Sequence, residues 1–491
     1  MSLLLKGILI GLLFGVPVGA VGAMTVQRTW EHGVKAGLLT GMGSSIADCI
    51  YAAIGAFGLT VVSDFLLKYQ TAIHLAGGTI VLFMGIHLLF RKGEAAEIPA
   101  VSGRVRMFLS SFAIGITNPA AIQERAAHGV FGYSIVPEEW YQAYMDWWER
   151  RHGFSMEKEW LVFCTGVVPA ISSMVRKLTT AGENVLIQTP VYNIFFNSIV
   201  NNGRNIVENP LRYTPRAHVN ACPSGTGGLR PSRYDGNDYQ MDFEDLERKL
   251  SDPRTTLMIL CNPHNPVGRI WSREELEQVG ELCGKYHVTV ISDEIHCDLT
   301  SPGKEYIPFA SVSESCRNYS ITCMAPTKAF NLAGLQTAAV AVPNPILRHK
   351  VWRGLNTDEV AEPNYFAVEA AVAAFTKGEA WLDALRAYIQ ENKNYVENFL
   401  KKEVPQIRSV PSQATYLLWL DCQKMQGCAK EFTQYLREHT GLYLSEGRQY
   451  GESGSSFIRM NIACPRSRVE DGMKRLAEGV RGYEKWVLAS C

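Results

Sequence analysis

The sequence predicts an α/β fold: a large domain built on a mostly parallel sheet, then a small α/β C-terminal domain. An all-α transmembrane segment is expected to precede them. Three observations carry this. Residues from about 160 to 345 alternate apolar strand runs with helical stretches, the pattern of a sheet covered on both faces. The last third sets two apolar strand runs beside a long helical stretch, Tyr365–Lys401, broken near Gly378. Residues 1 to about 122 are almost continuously apolar, unlike the rest. The expected domains are therefore 1–122, 123–350 and 351–491.

A length of 491 residues admits two or three domains. Lys+Arg and Asp+Glu both number 48, so nothing electrostatic points to nucleic acid. The 12 cysteines lack a CxxC pair. Their scatter points to free thiols in a reducing compartment, and neither a disulfide framework nor a metal site is expected.

In the first quarter, Ser2–Met24, Ala36–Val62 and Ala72–Phe90 are each about long enough to cross a bilayer. A cleavable leader would explain only the first. Gly11, Gly15, Gly19 and Gly22 suit close helix packing in lipid. Asp48 interrupts the second run, either as a functional acid or as a packing contact. Gly15-Val-Pro-Val-Gly-Ala20 and Gly115-Ile-Thr-Asn-Pro119 resemble the LysE/RhtB family of amino-acid exporters. The resemblance departs at Ala20, where the family usually has a second proline. It stops with about half of the family's spans, so export is not expected. Arg28 and Lys35, then Arg91, Lys92, Arg104 and Arg106, place both following loops on the cytoplasmic side. Met107–Ile122 is short for a span and carries Asn118-Pro119. The remainder is thus expected in the cytoplasm, tethered to the membrane through residues 1–122.

Composition changes abruptly at Ala120–Glu124. Beyond it, Trp160–Cys164 reads as a strand, followed by Thr165-Gly-Val-Val-Pro-Ala-Ile171 and a helix to about Leu178. A strand, a glycine turn and a helix start make a seat for an anion. Asn184–Gln188 is the next strand, leading to Thr189-Pro-Val-Tyr192. Arg212–Asp238 is long and rich in Gly, Pro, Ser and Arg, which reads as an insertion. Thr256–Cys261 is a buried strand running into Asn262-Pro-His-Asn-Pro-Val-Gly268, where two Asn-Pro pairs force a rigid turn. Ser272–Lys285 is a helix opened by a Ser272–Glu275 capping box. The strand His287–Ser292 delivers Asp293-Glu-Ile-His296 at its carboxyl end, and the strand Tyr319–Met324 delivers Ala325–Gln336. Within that last stretch Lys328 follows Thr327 among small and apolar residues. Most lysines are solvated surface charges. An amine in apolar surroundings loses its proton more readily, and the neutral amine is the nucleophile. In the last third, Ala414–Asp421 reads as a strand. Arg459 lies on another apolar run, Ser455–Arg466, where an unpaired guanidinium would be costly, so it calls for an anion. Arg466, after a proline, reads as a loop stabiliser.

These strings together resemble the fold-type I pyridoxal-phosphate enzymes of the class I/II aminotransferase superfamily. Arg125-Ala-Ala-His-Gly-Val-Phe-Gly-Tyr-Ser134 and His296 narrow the resemblance to the MalY/PatB type, the cystathionine β-lyase-like C–S lyases, over about residues 121–491. The family's N-terminal arm is replaced here by the apolar segment. Two families each truncated at one shared point read as a gene fusion or an assembly chimera. The resemblance implies a role for each matching residue. Lys328 would bond the cofactor and act as catalytic base, with Thr327 beside it. Asp293 would hold the pyridine nitrogen, Asn265 the ring oxygen, Tyr192 the ring face, and the amides around Val167 and Val168 the phosphate. His296 takes a place where many aminotransferases have tyrosine. Tyr133 would reach the cofactor phosphate of a neighbouring subunit, which implies a homodimer. Arg459 would grip the carboxylate of a small amino-acid substrate. The expected reaction is β-elimination from cystathionine or a related cysteine S-conjugate. The alternatives are an aminotransferase on the same scaffold and an exporter remnant carrying an inactive cofactor-binding domain.

Overall fold

The computed structural model describes residues 135–215 and 238–490. The apolar first quarter with Asp48, and Tyr133, lie outside the described residues. Among the described residues no helix is long and apolar enough to cross a membrane.

The described chain opens with α1 (Glu138–His152), β1 (Leu161–Cys164), α2 (Val167–Leu178), β2 (Asn184–Ile187), α3 (Ile194–Val200) and β3 (Asn205–Glu208). A short ladder, β4 (Arg212–Tyr213) with β5 (Tyr239–Gln240), follows. Then come α4 (Phe243–Leu250), β6 (Thr255–Cys261), α5 (Arg273–Lys285), β7 (Thr289–Asp293), α6 (Glu314–Asn318), β8 (Ser320–Met324) and β9 (Ala338–Ala341). The remainder comprises α7 (Pro345–Thr357), α8 (Tyr365–Lys377), α9 (Glu379–Glu403), β10 (Arg408–Ser409), β11 (Leu417–Asp421), α10 (Ala429–Thr440), β12 (Ser445–Glu446), β13 (Phe457–Asn461) and α11 (Arg466–Ser490).

Seven strands form the large sheet in the order β1-β9-β8-β7-β6-β2-β3. The neighbours from β8 through β7, β6 and β2 to β3 pair in parallel. β9 runs antiparallel to both β8 and β1, so the sheet is mixed, with one reversed strand. β2, β7 and β8 are almost wholly buried, as expected where helices cover both faces. One apolar core joins α2 and α3 to the strands through Val167, Ile171, Val175, Phe195, Ile259 and Ile291. A second sheet, β10-β11-β13-β12, is antiparallel and carries the smaller C-terminal layer. α1 buries Trp140, Tyr144, Trp147 and Trp148 completely. Its aromatic face meets Phe375 of α8, with the Tyr144 and Phe375 rings 4.7 Å apart.

Local chemistry sets the boundaries. α5 has the expected capping box: Ser272 Oγ accepts from the Glu275 amide, and the Glu275 carboxylate accepts from the Ser272 amide. α8 and α9 divide at Gly378, as the sequence suggests. Several strands start later than their apolar runs. Trp160 closes a 3₁₀ turn by donating to Glu157 O, so β1 begins at Leu161. His287 adopts φ 57 and Val288 still bonds back to Cys283, which delays β7 to Thr289 and lets Asp293 complete it. Tyr319 donates to Ser315 O at the end of α6, so β8 starts at Ser320. Thr415 has φ 68 and donates to Leu299 O, moving the start of β11 from Ala414 to Leu417. The ends of the expected insertion are ordered. Arg212 pairs with Gln240 and Tyr213 with Tyr239, while residues 216–237 lie outside the described residues.

Candidate functional site

Parallel strands end on one edge of the sheet, and ligands of open α/β sheets bind outside that carboxyl edge. The sequence-identified residues collect there. Asp293 ends β7, in register with Cys261 at the end of β6 and Cys323 on β8. Lys328 stands four residues past Met324, the end of β8, on a half-buried turn closed by Phe330 N to Pro326 O and Leu332 N to Thr327 O. It thus follows the sixth strand of the sheet in chain order and precedes the seventh, β9. Thr327 is buried.

The Asn262–Gly268 turn carries Asn265. His264 N donates to Arg269 O, Gly268 N to His264 O, and Gln413 N to Gly268 O, pinning the loop from both sides. Gly268 is at φ +71 with Ser412 against it, so a side chain there would collide. His264 is fully buried, with Nε2 donating to Pro190 O at 2.8 Å. Burial depresses its imidazole to about 4.

Charges and rings converge on this edge. Burial is the main force on Asp293 and raises its carboxyl to about 6, while the Ile295 amide and the Lys328 cation draw it back. Burial lowers His296 to about 3, helped by the positive charges of Lys328 and Arg459. His296 is therefore neutral, and its buried Nδ1 has no hydrogen-bond partner among the described residues. Burial raises the Tyr192 phenol, and the Asp293 carboxylate raises it further, against the opposing charge of Arg459. Arg459 comes from β13 of the other sheet, half-buried. Its guanidinium lies 4.7 Å from the Tyr450 ring centroid and donates to Asn265 Oδ1 at 3.3 Å. Its described contacts are thus a neutral ring and a neutral amide, with no carboxylate. Arg466 instead opens α11, where its Nε donates to Asn392 Oδ1 at 2.7 Å.

Val167 and Val168 form the first turn of α2, after Gly166. Val167 packs in the same core as Val191 and Cys261, with Tyr192 against it. The first amides of a helix have no intrahelical partner, and with the helix dipole they favour an anion at this end of α2.

Lys328, Asp293, His296, Tyr192, Asn265 and Arg459 therefore share one site, and the α2 start lies along the same edge. Tyr133 lies outside the described residues. Three further residues belong here that the motifs do not single out. Tyr416 is half-buried, its ring 6.0 Å from His296; burial raises its phenol, against the charge of Arg459 and with a smaller push from Tyr192. Tyr450 lies under Arg459. Glu294 is wholly buried beside Asp293, accepting from Ser292 Oγ at 2.7 Å, from Phe309 N at 3.0 Å and from the Tyr306 hydroxyl. Burial pushes its carboxyl up to about 8. For Glu294 the Asp-Glu-Ile-His string was the available signal; for the two tyrosines only the fold supplies one.

The set fits a phosphate-bearing pyridine aldehyde. It offers an amine, a buried acid for a ring nitrogen, an aromatic face, an orphaned buried imidazole nitrogen and a helix start for the phosphate.

Comparison with known proteins agrees. The aminotransferase class I and II family matches residues 118–476, and the LysE type translocator family matches residues 12–137. Cystathionine β-lyase PatB of Bacillus subtilis is 41% identical over 356 residues, which cover 72% of this chain and 87% of PatB. Cystalysin of Treponema denticola, whose crystal structure contains pyridoxal 5′-phosphate, aligns with a TM-score of 0.68 and 29% identity, covering 74% of this chain and 87% of its own. The pyridoxal-phosphate-bound C–S lyase of Staphylococcus hominis aligns with a TM-score of 0.63 and 31% identity, covering 74% and 89%.

Proposed function

The chain belongs to the aminotransferase class I and II family, and on that premise we propose that it is a pyridoxal-phosphate-dependent carbon–sulfur β-lyase. Its substrate is cystathionine or a related cysteine S-conjugate, and its products are a thiol, pyruvate and ammonia. The observation that carries this is the convergence of Lys328, Asp293 and neutral His296 at one sheet edge, in a chain similar to proteins named as lyases.

Bound there, pyridoxal phosphate supplies an electron sink for the charge left on the substrate α-carbon. The chain's own residues do the rest. Asp293 would hold the positive charge of the ring nitrogen, Tyr192 would support the ring face, Asn265 would take the ring oxygen and the amides of Val167 and Val168 the phosphate, with Thr327 beside Lys328. Arg459 presents a planar fork that matches a carboxylate bidentately and so orients the substrate. The Lys328 amine removes the α-proton. The thiol then departs from the β-carbon, and the remaining three-carbon fragment takes up water to give pyruvate and ammonia. His296 stays uncharged and packs against Tyr416.

The wider organisation is also a proposal. Residues 1–122 form a membrane segment that tethers a cytoplasmic enzyme, 123–350 the cofactor domain and 351–491 the small domain. A second copy contributes Tyr133 to the phosphate, making a homodimer. Sedimentation of the detergent-solubilised protein, with and without Tyr133→Phe, checks the assembly.

The decisive assay mixes the purified, cofactor-loaded protein with cystathionine and no 2-oxo acid. Release of thiol and pyruvate supports the lyase. Amino transfer to an added 2-oxo acid, without thiol release, would establish an aminotransferase instead.

A further inference from the structure

Outside this site, three potential ligand side chains meet where α1 ends against the segment that follows β7. One imidazole nitrogen of His152, Cys297 Sγ and an Asp298 carboxylate oxygen all lie within 4.8 Å of one another. We propose that they form a binding site for a zinc-type divalent cation. Sequence spacing gives no hint of it, because His152 comes from a helix 145 residues before Cys297.

The donor set is one imidazole, one thiol and one carboxylate. That combination suits a borderline-soft divalent ion with a fourth position left open. In a tetrahedral zinc site, bonds of about 2.0–2.3 Å put donor atoms roughly 3.3–3.8 Å apart. His152 Nε2 and Asp298 Oδ1 stand 3.0 Å apart and the three donor atoms lie within 4.8 Å of one another, so shifts of about 1 Å bring the set to that spacing. The carboxylate is oriented from behind: Trp147 Nε1 donates to the same Oδ1 at 3.0 Å. Metal-bound carboxylates are commonly fixed by such outer contacts. All three residues also line a cleft of about 520 Å³, which supplies an entry path and room for the open position.

Two features weigh against the ion, and both are answered locally. The Cys297 thiol is buried and pushed well above its usual range, chiefly by burial, so it resists ionisation. A bound dication offsets this by taking the thiolate as ligand and releasing the proton to solvent. The cleft also carries arginines, which would repel a cation. The arginine charges are paired: Arg150 with Glu379 at 3.3 Å, Arg151 with Asp383 at 2.8 Å, and Arg386 with Asp383 at 3.0 Å; Lys304, which also lines the cleft, is exposed and screened by solvent.

The position gives the ion a consequence. Cys297 directly follows His296 and lies four residues after Asp293. The turn between them is closed by Cys297 N to Glu294 O and Leu299 N to His296 O. A bound ion therefore ties the C-terminal end of α1 to the turn that presents the cofactor-facing residues. Binding only the folded state, it also stabilises that state.

The test uses the full-length, cofactor-loaded protein dialysed against zinc. Wild type retains one zinc per chain, its thermal midpoint rises with zinc, and zinc-edge X-ray absorption shows one sulfur in a nitrogen/oxygen shell. Cys297→Ser and His152→Gln each weaken retention by at least about tenfold, and Cys297→Ser removes the sulfur. Cys428→Ser, which changes an exposed thiol elsewhere, leaves all three readouts unaltered. Bound-cofactor absorbance identifies variants that have folded. Should the variants fail to fold, the wild-type absorption spectrum decides alone. Zinc not retained, a shell with no sulfur or more than one, retention unchanged in both site variants, or retention lost in Cys428→Ser each overturns the proposal.

Discussion

Arg459 Nη1 donates to Asn265 Oδ1 across 3.3 Å, joining residues 194 apart in the chain. One lies on the small antiparallel sheet, the other on a turn at the carboxyl edge of the large sheet. The proposed carboxylate clamp and the proposed ring-oxygen partner thus touch each other. On those proposed roles, a carboxylate bound at Arg459 would sit beside the residue that takes the ring oxygen.

Arg459→Lys keeps the charge and loses the planar fork. Charge-assisted hydrogen bonds contribute about 1.5–3 kcal/mol. The variant should therefore lose roughly 10- to 150-fold in kcat/KM, chiefly through KM. Steady-state kinetics on cystathionine measure the split. A fall confined to kcat would remove Arg459 from carboxylate binding.

Lys328→Ala should abolish the visible absorbance of the bound cofactor and lower turnover by roughly 10²–10⁴-fold, the usual contribution of a positioned proton acceptor. Absorbance spectra and thiol release are the measurements. Retention of the absorbance band would refute the cofactor assignment of this lysine.

Asp293 makes stability depend on pH when the cofactor is removed. Burial raises its carboxyl from 3.8 to about 6. The folded state then holds this proton to higher pH than the unfolded chain, so stability falls as pH rises through that window. A shift of about two units corresponds to at most ~3 kcal/mol above pH 6. Cofactor-free Asp293→Asn should exceed wild type in stability at pH 7, and the difference should vanish near pH 4. Denaturant midpoints across pH check this. The loaded variant should be slower, because a neutral amide does not hold the charge of the ring nitrogen.

His264 gives the opposite slope. Burial lowers its imidazole from 6.5 to about 4. The unfolded chain takes up this proton first, so the associated stability is complete above pH 6.5 and is lost as pH falls towards 4. About 2 kcal/mol should be gone by pH 5. His264→Gln, which keeps a donor for Pro190 O, should flatten the acid limb of urea midpoints measured at pH 7 and pH 5.

Much of the fold is legible from local signals. The Ser272–Glu275 capping box, the break at Gly378 and the buried runs of β6, β7 and β8 each depend on neighbours in sequence. Strand starts are less legible. His287, Tyr319 and Thr415 are drawn into caps or turns by hydrogen bonds that an apolar run does not encode.

The site divides in the same way. Lys328, Asp293, Asn265 and His296 stand in short strings at strand ends, where residue type and position together announce chemistry, and the sequence by itself determined them as candidates. It also determined the mixture of apolar first quarter and α/β remainder. Only the tertiary structure decided what surrounds them. It set Tyr416 and Tyr450 beside Arg459, gave Arg459 the amide of Asn265 instead of a carboxylate, and brought His152 to Cys297 and Asp298. Those relationships depend on how two sheets and the end of α1 pack together. Packing joins residues by distance and burial, and no local pattern along the chain carries either quantity.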